Sequence, residues 1–264
     1  MSAPDPTFSI QVDLTNPGQF FACCGLLELA YRLSHNARGW FEGATFKIAD
    51  APANFVAQFL ACDARSIIAD SKDNSSKDDS DKGDDKTVPI QLATPFALRL
   101  DWWITESAQQ AKLKTWSAGQ KITDVLGEMR KHFKNAIAKN PHDWLRVAEP
   151  IKSPKPFGYD SRLSRTAALD MGHNDMSYVT AFSPAVDVLT VVGLQRFRPW
   201  VIETWTRNRY CTWSQPLPAD IAAVSTLGLI PQFIDSCFEF PIKPRDSQGR
   251  YKLFGHAQPA RRPQ

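Results

Sequence analysis

Phe8-Ser9-Ile10-Gln11-Val12-Asp13-Leu14-Thr15-Asn16-Pro17-Gly18-Gln19-Phe20-Phe21-Ala22-Cys23-Cys24-Gly25-Leu26-Leu27-Glu28-Leu29-Ala30-Tyr31-Arg32-Leu33 changes its hydrophobic period halfway along, and that change decides the fold class. Phe8, Ile10, Val12 and Leu14 alternate with Ser9, Gln11 and Asp13, the pattern of a half-buried strand. Thr15-Asn16-Pro17-Gly18 breaks the strand, and Asn16 followed by Pro17 supplies a cap and a first turn for a helix over about 18–33. Only Gln19, Glu28 and Arg32 are clearly polar there, so the helix is expected to sit inside a core rather than on a surface. Gly25, with no Cβ, would let another element approach closely.

Outward from this unit the chain alternates short elements. A strand is expected over 44–49, a short helix over 53–62, and two strands over 88–93 and 96–104 joined through Thr94-Pro95. A long amphipathic helix follows over 112–139, with Ile122, Val125, Leu126, Met129, Phe133, Ala136 and Ile137 as its apolar stripe. Lys121, Arg130, Lys131 and Lys134 lie off that stripe and read as a solvated face. Ser183-Pro184 opens a second buried helix to about Gln195, which Pro199 terminates. A hairpin (200–205 with 209–213), a short helix (217–227) and a last hairpin (236–242 with 250–254) complete the order, and Arg261-Arg262 is expected to fray.

This order predicts an α+β fold in which antiparallel sheets carry helices on one face, as one or two ferredoxin-like layers would. The chain divides into an N-terminal module over 1–69 and 88–150, an insertion over 70–87, a basic loop over 151–182 and a C-terminal part over 183–264.

Composition bounds the function. At 264 residues, 43% apolar and 22% charged, with no apolar run of eighteen, the chain has an ordinary globular make-up. The N-terminal residues lack the basic and apolar regions of a secretory signal, so a cytoplasmic location is expected. Five cysteines, Cys23, Cys24, Cys62, Cys211 and Cys237, form no C-x-x-C pair, and the odd count argues against a disulfide framework and a zinc site. Residues 70–87 hold seven Asp and four Lys with no apolar anchor and are expected to be disordered. The net charge of +3 therefore conceals a remainder at +6, which favours an anionic partner. The signatures of P-loop, dinucleotide-binding, zinc-protease and serine-hydrolase sites are all missing. His35, His132, His142, His173 and His256 are spaced for no metal site, and no cofactor is expected.

The positive signal is cations interleaved with aromatics in three places. The loop from Lys152 carries Lys155, Tyr159, Arg162 and Arg165; the junction after the second buried helix carries Arg196, Arg198 and Trp200; the hairpin from Trp205 to Trp213 carries Arg207 and Arg209. Guanidinium forks grip phosphates and aromatic faces stack bases. These residues are the candidate nucleic-acid-binding set, with Tyr159 and Trp200 as stacking platforms.

Four pieces of the chain resemble the accessory subunits of type I-U (I-G) CRISPR loci. They are the stretch from Asn16 to Glu28, Leu113-Lys114-Thr115-Trp116-Ser117-Ala118-Gly119-Gln120, Asp160-Ser161-Arg162 with Ala168-Leu169-Asp170, and Gly193-Leu194-Gln195-Arg196-Phe197-Arg198-Pro199. None is a catalytic signature. The resemblance implies an antiviral effector-complex subunit, either like a repeat-associated RNA-binding protein or like a reduced large subunit, that helps hold guide RNA or target DNA among other subunits. It implies no catalysis by this chain alone. Two alternatives stay open. One is a metal-independent endoribonuclease trimming precursor guide RNA, with His173 as general acid or base and Arg162 or Arg165 stabilising the transition state. The other is a protein-only scaffold.

Overall fold

The strand-to-helix switch at Asn16 is present as read. β1 (Phe8–Gln11) leads to α1 (Pro17–Leu33), and the Asn16 side chain accepts hydrogen bonds from the Gly18 and Gln19 amides. This computed structural model describes residues 4–67, 89–104, 113, 121–150, 157–163, 181–204, 206–244 and 252–262. After α1 come β2 (Arg38–Glu42), β3 (Thr45–Ala49), α2 (Phe55–Ala61), β4 (Ala64–Ser66), β5 (Ile90–Leu92), β6 (Arg99–Leu100), α3 (Ile122–Lys139) and β7 (Glu149–Pro150). β8 (Ala181–Phe182), α4 (Pro184–Arg196), β9 (Trp200–Glu203), β10 (Arg207–Trp213), α5 (Ala219–Thr226), β11 (Ile234–Pro244), β12 (Lys252–Phe254) and β13 (Gln258–Ala260) complete the order. Every strand pair is antiparallel, and the fold is α+β, as expected.

The strands form sheets in the orders β1-β3-β2, β4-β5-β6 and β7-β8, and a larger sheet β12-β11-β10-β9 whose β11 also pairs with β13. β2 is a strand that sequence reading misses: Arg38-Gly39-Trp40-Phe41-Glu42 has no period of two, because Gly39, Trp40 and Phe41 are all buried. Gly43 turns the chain from β2 into β3 at a positive φ, a conformation glycine adopts without strain. β4, β7, β8 and, near the C-terminus, β13 are missed as well. The tail expected to fray instead adds this strand beside Cys237–Glu239, and Arg262 then donates to the Asp235 carbonyl.

The core is built on two helices that are buried almost all round. α1 is buried from Pro17 to Ala30 and α4 from Pro184 to Leu194. They cross where Gly25 meets Gly193: a Cβ on Gly25 would strike the Leu189 carbonyl, and one on Gly193 the Phe21 carbonyl. Backbones this close leave no room for side chains, which is why glycine stands at both positions. Thr190 Oγ1 donates to the Gly18 carbonyl across the same interface at 2.8 Å. The larger sheet covers α1 on another side, with Phe20 stacked on Tyr210 (centroids 4.2 Å apart) and Phe21 against Phe240 and Phe254.

α3 keeps its apolar stripe inward from Ile122 to Ala136. Arg130, expected on the solvated face, turns instead to the end of α2, where its Nη2 donates to the Phe59 and Cys62 carbonyls and its guanidinium lies over the Phe59 ring. The Phe59 carbonyl also accepts from the Cys62 amide, so Arg130 adds a second donor there and gives the Cys62 carbonyl one beyond the helix C-terminus. No described helix is long and apolar enough to cross a membrane.

Candidate nucleic-acid interface

Two of the resemblance-carrying pieces, the one that begins at Asn16 and Asp160-Ser161-Arg162, meet at the N-terminus of α1, while residues 114–120 and 168–170 lie outside the described residues. Asn16 Nδ2 donates to Asp160 Oδ1 at 2.9 Å, and the Ser161 amide donates to Asn16 Oδ1. Asp160 is fully buried and also accepts from the Ser183 amide that precedes α4. Arg162 places Nε and Nη2 on the same carboxylate at 2.6–3.0 Å and donates Nη1 to the Arg146 carbonyl at 2.5 Å. Ser161 Oγ lies 3.3 Å from His256 Nδ1. A second carboxylate, Asp187, accepts the Phe157 and Tyr159 amides, and burial pushes its pKa up to about 7. This hub caps α1 and α4 and joins them to 157–163. Its polar groups satisfy one another.

Two candidate residues are thereby corrected. Tyr159 is no stacking platform: its ring is 1% exposed, packed against Phe157 and Phe254, and burial raises its phenol pKa well above the ordinary value. Arg162 has Nε, Nη1 and Nη2 all engaged, so it braces the hub rather than offering a fork to phosphate.

Arg196 is a third correction. It pairs with buried Glu28, which also binds Arg32 at 2.7 Å, and lies over the Tyr31 ring. The hydrogen bond it donates to Glu28 raises the guanidinium's pKa further against the opposing effect of burial. Arg198 is exposed and donates to the Trp103 carbonyl at 3.2 Å. Lys152, Lys155, Arg165 and His173, like the 70–87 insertion and Trp205, lie outside the described residues.

The remaining candidates do come together. Trp200 pairs across strands with Arg209, Arg209 with Glu239, and Glu239 with Gln258, so these four form one row on the face of the larger sheet turned away from α1. Arg207 stands two residues from Arg209 on the same face, opposite Pro241 on one side and Glu203 on the other, and Lys243 follows along β11. Tyr210, Phe238 and Phe240 point inward.

Trp200 is 46% exposed and is the only aromatic among the exposed large hydrophobics of the described residues. Glu239 binds Arg209 through Nε (3.1 Å) and Nη2 (2.5 Å) and stands 3.7 Å from Arg207 Nε. A guanidinium has five N–H donors, so Arg209 keeps Nη1 and the more exposed Arg207 keeps most of its fork. Glu239, Gln258 and Lys243 carry no composition signal and become legible only through the strand register.

The cysteine reading is also corrected. Cys211 and Cys237, opposite each other on β10 and β11, form a disulfide with S–S 2.06 Å in the next row of this face. Cross-strand pairing decides this, and an odd cysteine count does not. Cys23, Cys24 and Cys62 are free and buried. Among the described residues no group of His, Cys, Asp or Glu is arranged to hold a metal ion.

The geometry defines an α+β chain whose one solvent-facing array of aromatic and guanidinium groups, among the described residues, lies on the outer face of its largest sheet. No family model, curated protein or solved structure matches the chain.

Proposed function

We propose that this chain is a non-catalytic nucleic-acid-binding subunit of a CRISPR type I-U-like effector complex, contacting guide RNA or target DNA through the outer face of β9, β10 and β11. The effector assembly, with its other subunits as partners, rests on the sequence resemblance. The binding role rests on one observation, the row of Trp200 and Arg209 with Arg207 beside it. Arginine donors left over from Glu239 bind phosphate oxygens, and each phosphate neutralised releases counterions.

The test is binding of labelled RNA and single-stranded DNA across a salt series. Affinity is expected to fall with salt, and Arg207→Ala/Arg209→Ala to reduce the slope of log K against log salt by about 1–2. An unchanged slope and affinity in the double variant overturns the assignment of the face.

The scaffold alternative draws support from the pairing of Arg162, Arg196 and Arg209 with carboxylates. It requires that the chain bind no nucleic acid at any salt. Cleavage of a repeat RNA in EDTA that is lost in His173→Ala would favour the endoribonuclease alternative instead.

A further inference from the structure

Resting on that reading, we infer that the ligand of the outer sheet face is single-stranded and that one unpaired base stacks on the Trp200 indole while Arg207 and Arg209 hold the flanking phosphates. Three observations converge on this. Trp200 sits on β9, an edge strand of the sheet, with nearly half its surface in solvent, and among the described residues its ring meets no other aromatic. Its cross-strand neighbour Arg209 is bonded to Glu239 on the strand at the far side, and among the described residues no cation stacks on the indole. The cations lie beside the ring: Arg209 is directly opposite, Arg207 two residues away, and Arg198 two residues before it in the chain.

An indole face gains free energy from a base only if that base offers its own face, and a duplex buries both faces of every internal base in the stack. A duplex-binding surface would need cations reaching two phosphate backbones and would have no use for an exposed ring. Here Arg198, Arg207, Arg209 and Lys243 are offset by Glu203 and Glu239, a small positive balance that is weak for holding a duplex by phosphate contacts alone. Stacking contributes roughly 1–3 kcal/mol per base and tolerates any sequence, so the ligand class is a single strand read without strong base preference.

The experiment measures polarisation of fluorescein-labelled 12-nucleotide uridine and thymidine homopolymers, an abasic strand of equal length and a 12-base-pair duplex. Wild type, Trp200→Ala and Trp200→Phe are compared. The indole is at an exposed edge, so both variants are expected to fold, which circular dichroism checks. The homopolymers should bind more tightly than the duplex, and Trp200→Ala should weaken them about tenfold without changing affinity for the abasic strand. Trp200→Phe should recover most of the loss.

Equal affinity for duplex and single strand, or a Trp200→Ala loss that is the same on the abasic strand, overturns the inference and leaves the phosphate-binding proposal standing. Absence of salt-dependent binding to every oligonucleotide overturns the proposal itself and the inference with it.

Discussion

At Asp160 one buried carboxylate accepts from Asn16, Ser183 and the amide and guanidinium of Arg162. Removing one member of such a buried pair leaves the other desolvated and unpaired. Asp160→Ala is therefore expected to cost about 3 kcal/mol, discounted from a fully buried pair because Arg162 is 22% exposed. Urea denaturation measures it. Arg162→Ala should likewise destabilise while leaving the salt dependence of oligonucleotide binding as in wild type. A flattened slope in that variant would return Arg162 to the phosphate-binding set. From sequence, Arg162 and Arg207 look alike, each a cation near aromatics. They differ in what the fold puts against them, a buried carboxylate two residues away held by a helix cap in one case and a partly exposed glutamate on the next strand in the other. Pairing of this kind is a long-range property, so local composition overcounts free arginines.

Among the elements, the crossing of α1 and α4 sets the tightest tolerance. Gly25→Ala forces a methyl into the Leu189 carbonyl, and overpacking of this kind costs about 1–3 kcal/mol, equivalent to a fall in Tm of roughly 5 °C by calorimetry. Gly127→Ala is the control. An added Cβ there meets nothing within 4 Å, and in the interior of α3 alanine should be neutral or stabilise slightly. If the two substitutions lower Tm equally, close backbone approach is not what Gly25 provides. This part of the fold was readable: an almost wholly apolar helix with a glycine in its middle announces a buried crossing, although not its partner. The edges of the sheets were less readable. β2 escapes a search for alternation because both its faces are covered, and β13 is too short and too polar to show any period.

For the whole molecule, the Cys211–Cys237 bond closes a loop across β10 and β11, its ends separated by 26 in sequence. Restricting the unfolded chain in this way is worth about 3 kcal/mol, so Cys211→Ser/Cys237→Ser should lower stability by that amount. Alkylation of the denatured protein without reductant should modify three cysteines, and all five after reduction. Five without reductant would show that the thiols are free.

The α+β class followed from local periods. The functional face did not, because it is assembled by register: Trp200 and Glu239 lie far apart in sequence and two strands apart in space. Register has a further consequence, in time rather than in space. α1 is made before β10, β11 and β12, yet Phe20 and Phe21 are covered by Tyr210, Phe240 and Phe254 of those strands. Phe41 of β2 can reach Phe20 early, but until those last strands are made the sides of Phe20 and Phe21 that they cover stay exposed on the nascent chain, which calls for a holding chaperone until then.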